Sequence, residues 1–193
     1  MKVARKVQFK TNEICVGDQI TVRLSGFGKF TATAQRVTDK GILFLFDDVI
    51  ARHPMNETNT NEGGFDKSDM CRWLCETVLP AFPEKLRTRI REITLPTYGE
   101  IFGHDNFYEN FEPDNDEQFE LMKRRGNRVC DYEDDWCWWW LRNAAKRNVS
   151  SAHFAGVGST GNTNYYNASN SGGVRPDSLS NQLRRRRCPF HQG

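Results

Sequence analysis

The sequence lacks most of the features that mark a membrane protein, an exported protein or a metal module. No apolar run approaches the ~18 residues that a spanning helix needs, so no membrane insertion is expected. Met1 to Lys10 carries charges but no apolar core, so no secretory signal peptide is expected. An excess of one charge is missing too. The 27 Lys and Arg nearly balance the 25 Asp and Glu, and a net +2 neither steers the chain to nucleic acid nor argues against it. Histidine is scarce, and His53, His104 and His153 stand far apart with no nucleophile motif beside any of them. The six cysteines (Cys15, Cys71, Cys75, Cys130, Cys137 and Cys188) fall at irregular spacings. Cys71-x3-Cys75 and Cys130-x6-Cys137 match no standard zinc spacing and have no nearby histidine, so neither metal nor cofactor is expected. Without an export signal, free thiols are favoured over a disulfide framework. There is no internal repeat.

Hydrophobic residues make up only 37%, but aromatics at 12% carry much of the apolar area, so an ordered domain is expected rather than disorder. A chain of 193 residues can bury a sizeable core and fits one domain. Ile20, Val22 and Leu24 alternate with polar neighbours, which predicts a half-buried strand over Gln19–Leu24. Ser25 to Gly28 reads as a turn, Lys29 to Val37 as a second strand, and Ile42 to Phe46 as a strand buried on both faces. The first fifty residues therefore predict a β-meander. Asn56 to Gly64 reads as an exposed polar loop. Ser68 suits a helix N-cap, with Met70, Trp73, Leu74 and Val78 at helical spacing and Pro80 and Pro83 ending the helix. Glu84 to Ile93 predicts a second helical stretch with Leu86, Ile90 and Ile93 on one face. From Leu95 the chain reads as irregular. Gly103 to Gln118 is acidic and aperiodic, pinned by Phe102, Phe107, Tyr108 and Phe111, and Phe119 to Arg125 reads as a short helix ending at Gly126.

The stretch from Trp136 to Pro176 organises the rest. Trp136, Trp138, Trp139 and Trp140 crowd into five positions beside Leu141 and Arg142, and indoles want burial with a partner for each N–H. Consecutive strand residues cannot all face one way, so at least one indole should lie near the surface. A core anchor is favoured over a sugar-stacking platform. Between Asn143 and Gly173 the side chains turn to Asn, Ser, Gly and Tyr, the mixture that antibody-like binding loops use. Asn and Gly also dominate ordinary turns, but long loops between rigid anchors in a compact domain are usually functional. Val174-Arg175-Pro176 reads as a closing strand, and residues 179–193, with Arg184 to Arg187, as a solvated basic tail.

Three motifs in order, S-D-M-C-R-W-L from Ser68, W-W-L-R from Trp139 and G-V-R-P from Gly173, resemble an uncharacterised bacterial and phage family. That family looks like a distant relative of the formylglycine-generating-enzyme branch of C-type-lectin folds. The resemblance spans about residues 10–178, including G-D-Q-I and L-F-L-F-D-D-V-I. It implies an α+β fold of C-type-lectin type, with small antiparallel sheets, two helices and much irregular loop. The domain would run over residues 1–178. Some members look like variable proteins of diversity-generating retroelements, in which adenine-rich codons near the C-terminus are mutagenised. Residues 143–172 have the composition such codons yield. Asp177-Ser178 departs from the apolar strand that relatives tend to have there, and the Arg-rich tail has no counterpart.

The expected ligand-binding surface is Asn143, Lys146, Asn148, Ser151, His153, Asn162, Asn164, Tyr165, Tyr166, Asn167, Ser169 and Asn170. Trp73, Trp139, Trp140, Arg142 and Arg175 are the expected anchors. Arg142 and Arg175 could contact ligand, but buried guanidiniums tying loops to carboxylates or carbonyls are favoured. Calcium at Asp114, Asp116 and Glu117, or at Asp131, Glu133, Asp134 and Asp135, is weighed against a solvated acidic face, and the latter is preferred. The function expected is non-catalytic binding of a protein or glycan on a host or neighbouring cell, with a homo-oligomer open and nucleic acid disfavoured. The alternatives are a formylglycine-generating-type oxidoreductase using Cys130, Cys137 or Cys188, and nucleic-acid binding through the basic tail. The expected location is a phage tail or, by another export route, a bacterial surface, and otherwise the cytoplasm.

Overall fold

Alternation of Ile20, Val22 and Leu24 with polar residues places strand β1 over Gln19–Leu24, and its buried face is Val22 and Leu24. β2 (Gly28–Thr38) and β3 (Gly41–Phe46) follow antiparallel, forming the expected meander. The computed structural model describes residues 14–180; the Arg184 to Arg187 run and Cys188 lie outside the described residues. After β3 the chain leaves this sheet through Asp47–Ile50 and enters β4 (Ala51–His53) in a second one.

The Ser68 hydroxyl accepts from the Cys71 N–H at 3.1 Å and starts α1 (Asp69–Trp73). The helix continues through a π turn over Leu74–Val78 into α2 (Leu79–Ala81), burying Met70, Leu74 and Val78. The helix stops at Ala81, one residue after Pro80 and two before Pro83, so the two prolines mark its end as expected. The second predicted helix needs correction. Only α3 (Glu84–Arg87) is helical, and Ile90–Thr94 is strand β5. The β-branched residues of I-R-E-I-T fit a sheet edge beside a partner that lies far away in sequence. Residues 95–99 also differ from the reading. Thr97 and Glu100 form a reciprocal capping box that starts α4 (Tyr98–Phe102).

Residues 103–129 are irregular with short 3₁₀ turns, including Glu120–Lys123 and Arg125–Arg128 where one short helix ending at Gly126 was expected. The pinning residues do gather, since Phe102, Phe107, Tyr108 and Phe111 all pack around the Tyr98 ring. β6 (Cys130–Tyr132) and β7 (Asp135–Cys137) make a hairpin whose turn residues, Glu133 and Asp134, sit at φ 53° and 65°. Positive φ at both central positions suits a two-residue hairpin turn, which gives these acidic residues a structural task. The last strands among the described residues are β8 (Trp139–Ala144), β9 (His153–Val157), β10 (Thr163–Asn167), β11 (Gly172–Val174) and β12 (Asp177–Ser180).

Among the described residues two five-stranded sheets form, in the orders β1-β2-β3-β12-β5 and β10-β9-β8-β11-β4, giving a small α+β fold. β12 is a central strand, so Leu179 and Ser180 belong to the domain and not to a tail. Strand alternation sends Trp140 into one hydrophobic cluster and Trp139 with Leu141 into the other. Each buried indole finds its partner, Trp139 donating to the Arg128 carbonyl at 2.8 Å and Trp140 to that of His53 at 2.9 Å. Trp138 is half-buried, and Trp136 is the surface indole at 64% exposure.

Two of the chain's crossings between the sheets, through 47–50 and through Arg175-Pro176, bond to each other. Phe46 N–H donates to the Pro176 carbonyl at 3.1 Å and Ile50 N–H to that of Val174 at 2.9 Å. Arg175, 3% exposed, donates from Nε to the Phe46 carbonyl at 2.5 Å and from its Nη1 to that of Asn127 at 3.1 Å. Its guanidinium lies 4.9 Å from the Trp139 ring centre. This is the buried, carbonyl-tying arginine the sequence favoured. Arg142 is not its twin. Its side chain is 34% exposed because β8 loses register with β9 after Trp140, and the Arg142 N–H turns to the Pro96 carbonyl. Trp73 is half-buried, stacked on His53 at 4.6 Å and edge-on to Phe27.

Glu100, 5% exposed, yields a pH dependence. Burial lifts its carboxyl to about 7, against the opposing Thr97 N–H and the guanidiniums of Arg142 and Arg36, with the Asp116 charge adding to the rise. The folded protein thus keeps a proton that an unfolded chain releases around pH 4.5. This contribution to stability is complete below pH 4.5 and lost as pH rises through about 7. Glu100→Gln, whose amide oxygen can still accept the Thr97 N–H, should lose less stability than the parent across that window. Thermal melts in a pH series check this, and parallel curves for the two proteins would contradict it.

Candidate functional site

The Asn, Ser and Tyr block is not a loop but mostly a hairpin. β9 is buried between β8 and β10, and β10 is the edge strand of its sheet. Alternation along β10 sends its two tyrosines to opposite faces. Tyr166 stacks on Trp138 with ring centres 3.8 Å apart, stands edge-on to Trp140, and is held at its hydroxyl by the Asn164 amide at 3.1 Å. Burial raises its phenol above the ordinary value. Gly156 lies beneath it, and a Cβ there would come within 2.8 Å of the ring. Tyr165, 39% exposed, faces outward in a stack with His153 at 4.8 Å and Phe107 at 5.9 Å. Phe107 therefore belongs to this surface, and only its aromatic character in an aperiodic segment hinted at it.

The flanking turns carry the remaining polar residues. Val149 and Ser150 N–H groups close a turn on the Lys146 carbonyl, and Asn170 N–H closes another on that of Asn167. Ala168 N–H donates to the Ala152 carbonyl at 2.7 Å, drawing the two turns together. Asn61 completes the frame from outside. Its side-chain amide is within 2.9 to 3.1 Å of the carbonyls of Ala145, Ser150 and His153, while its own N–H donates to Ser151. The N-E-T-N-T-N-E-G-G segment is thus a brace, though Glu57, Thr58 and Asn59 are exposed as read. Its repeated Asn residues gave no means of telling the brace from its neighbours.

Asn148, Ser151, Asn162, Tyr165, Asn167, Ser169 and Asn170 are exposed, while Lys146, His153, Asn164 and Tyr166 are half-buried. Asn143 must leave the display set. It is 6% exposed, its carbonyl oxygen accepts the Tyr98 N–H at 2.7 Å, and its amide donates to Glu112 and Asp114. The exposed positions fall at two ends of the hairpin. The turns bring Asn148, Ser151, Asn167, Ser169 and Asn170 to one end, beside Asn59, whose amide lies 3.5 Å from Asn167. Asn162 stands at the other, about 16 Å away along five residues of extended chain.

The chemistry such a surface offers is stacking and hydrogen bonding. Among the described residues no group of three or more His, Cys, Asp or Glu is placed to hold a metal ion. Asp114 is occupied in organising its loop, accepting from Gly99, Asn143 and Asp116. Cys130 and Cys137 face each other across the β6–β7 hairpin as free thiols, and burial pushes Cys130 up to about 12. His53 is turned to the Pro54 carbonyl, and the His153 Nδ1 is buried without a partner. Among the described residues no helix is long and apolar enough to cross a membrane.

Residues 40–177, well over half the chain, match a family described as a domain of unknown function, DUF6273. The chain belongs to this family. The match takes in the Ser68 helix, the tryptophan strand and the crossing at Arg175, but leaves out β1 and β2. No curated protein and no solved structure matches the chain.

Separating frame from surface predicts two mutant classes. Replacing Asn148, Ser151, Asn162, Asn167, Ser169 and Asn170 together by Ala should shift the melting point by only a few degrees, each change falling within about ±0.5 kcal/mol. Tyr166→Ala, which empties the Trp138 stack, should cost about 2–4 kcal/mol. Chemical denaturation of both variants checks the contrast, and equal losses would contradict it.

Proposed function

We propose that the chain is a non-catalytic binding module, a C-type-lectin-like scaffold that displays the outward side chains of residues 146–170 to a protein or glycan on another cell's surface. The observation that carries this is the division of labour in the hairpin. Its backbone is held by main-chain bonds and by Asn61, none of which uses the side chains of Asn148, Ser151, Asn167, Ser169 or Asn170. A surface built in this way tolerates exchange of the residues that face a partner. Tyr165 supplies rigid stacking area at low entropic cost, and the Asn and Ser side chains adapt their hydrogen bonds around it.

The scaffold reading is supported by small, mostly antiparallel sheets, short helices and a long irregular 103–129 connection. Diversification by a retroelement, and a place on a phage tail or bacterial surface, belong to the same proposal and rest on the composition of the block. The experiment is a display library randomised at Asn148, Ser151, Asn162, Tyr165, Asn167, Ser169 and Asn170, selected first for folding and then against glycan arrays and intact bacterial cells. The proposal expects most variants to fold and selected ones to differ in what they bind. A library that mostly fails to fold would overturn it, as would one whose folded members all bind alike.

A further inference from the structure

Away from the hairpin, a cleft of about 320 Å³ opens where β2, β3, β12 and β5 meet α4 and the end of β8. Its charged lining is Arg36, Lys40, Glu92, Glu100, Asp116 and Arg142, with Asp177 contributed by the central strand. The volume lies at the small end of the range for small-molecule sites, roughly 300–1,000 Å³. The arginines are already engaged. Arg36 lies 3.6 Å from Glu100 and donates to the Glu117 carbonyl at 2.6 Å, and Arg142 lies 3.5 Å from Asp116. Glu100 accepts the Thr97 N–H at 3.0 Å. Asp177 is different. It is 2% exposed, and its Oδ1 is buried with no hydrogen-bond partner.

An unpartnered buried carboxylate oxygen is costly, and the group that would relieve it is a donor. We propose that this cleft binds a small primary ammonium ligand, with its N–H groups on the Asp177 carboxylate and on Glu100. Several features select that class. The guanidiniums have carboxylate or carbonyl partners, so an anion would have to displace these. A divalent ion would meet two guanidiniums and, among the described residues, no set of three acidic, His or Cys ligands. A neutral donor would satisfy Oδ1 but leave the two carboxyls opposing each other's charge. The apolar part of the lining, Leu43 and Leu179, suits a short alkyl chain behind the ammonium. Burial and the neighbouring Glu100 charge hold Asp177 well above the usual carboxylate range, while the Arg142 guanidinium opposes them. Binding a cation therefore drives protons off the pair, and affinity rises with pH through neutrality.

The test is calorimetric titration of the full chain with n-propylammonium at about pH 6 and about pH 8, in buffers of different ionisation enthalpy. Tetramethylammonium, which has no N–H, is the control for charge alone. The expected result is tighter n-propylammonium binding at the higher pH, proton release on binding, and no comparable binding of tetramethylammonium. Asp177→Asn should weaken binding about tenfold or more, the factor for one lost charge-assisted hydrogen bond. Should that variant not fold, Glu100→Gln carries the test, with the pH dependence and the proton release both reduced. Absence of n-propylammonium binding, equal binding of the two cations, or an affinity unmoved by the folded variant would each overturn the proposal.

Discussion

The interaction on which the structure depends is the buried guanidinium of Arg175, set where the chain crosses between its two sheets. A fully buried cation is expensive unless its donors are satisfied and its charge is compensated. Here the Phe46 and Asn127 carbonyls take hydrogen bonds and the Trp139 ring offers its π face. Burial lowers the Arg175 pKa, while Cys130, Asp47 and Asp48 pull it the other way. One side chain thereby ties the end of β3, the 3₁₀ turn before β6 and the tryptophan strand to the crossing that carries β11 into β12. Close packing at Gly172, where a Cβ would come within 2.4 Å of Trp138, brings β11 tight against the Trp138 and Trp140 indoles.

This frame explains how a polar, Asn-rich block can be ordered. β8 presents Trp139 to one core and Trp140 to the other, so the sheet behind β9 and β10 is anchored on both faces. The hairpin takes its stability from that sheet, from Tyr166 on Trp138 and from the Asn61 brace. Of its outward side chains, Asn162 and Asn167 bond to Thr160 and Asn59 and Tyr165 stacks on His153, while those of Asn148, Ser151, Ser169 and Asn170 take no part in the frame. Polar display and a stable fold then make separate demands on the sequence, which is what a binding surface open to change requires.

Local signals were legible where chemistry and pattern agreed. The meander followed from alternation, the Ser68 cap from its hydroxyl before an apolar period, and the burial of Trp139, Trp140 and Arg175 from the cost of leaving indoles or a guanidinium unpartnered. What failed depended on distant partners. Ile90 and Ile93 suit a helix face or a strand equally, and β12, which decides between them, lies more than eighty residues on. Leu179-Ser180 looks like the start of a tail by composition, yet it belongs to a strand paired on both sides. Asn143 and Asn61 were indistinguishable from displayed asparagines, because the same amide can face solvent or satisfy buried backbone groups. The capping box at Thr97 and Glu100 was readable and was hidden by the proline and glycine around it.

The most direct measurement of the central claim is native-state hydrogen exchange at the amides of Phe46 and Ile50, which bond across the two chain crossings. If the crossing tied by Arg175 holds the sheets together, these amides exchange only with global unfolding, at the same free energy as the β8–β9 ladder amides. Exchange of Phe46 and Ile50 by a local opening of much lower free energy, with that ladder still protected, would contradict the account.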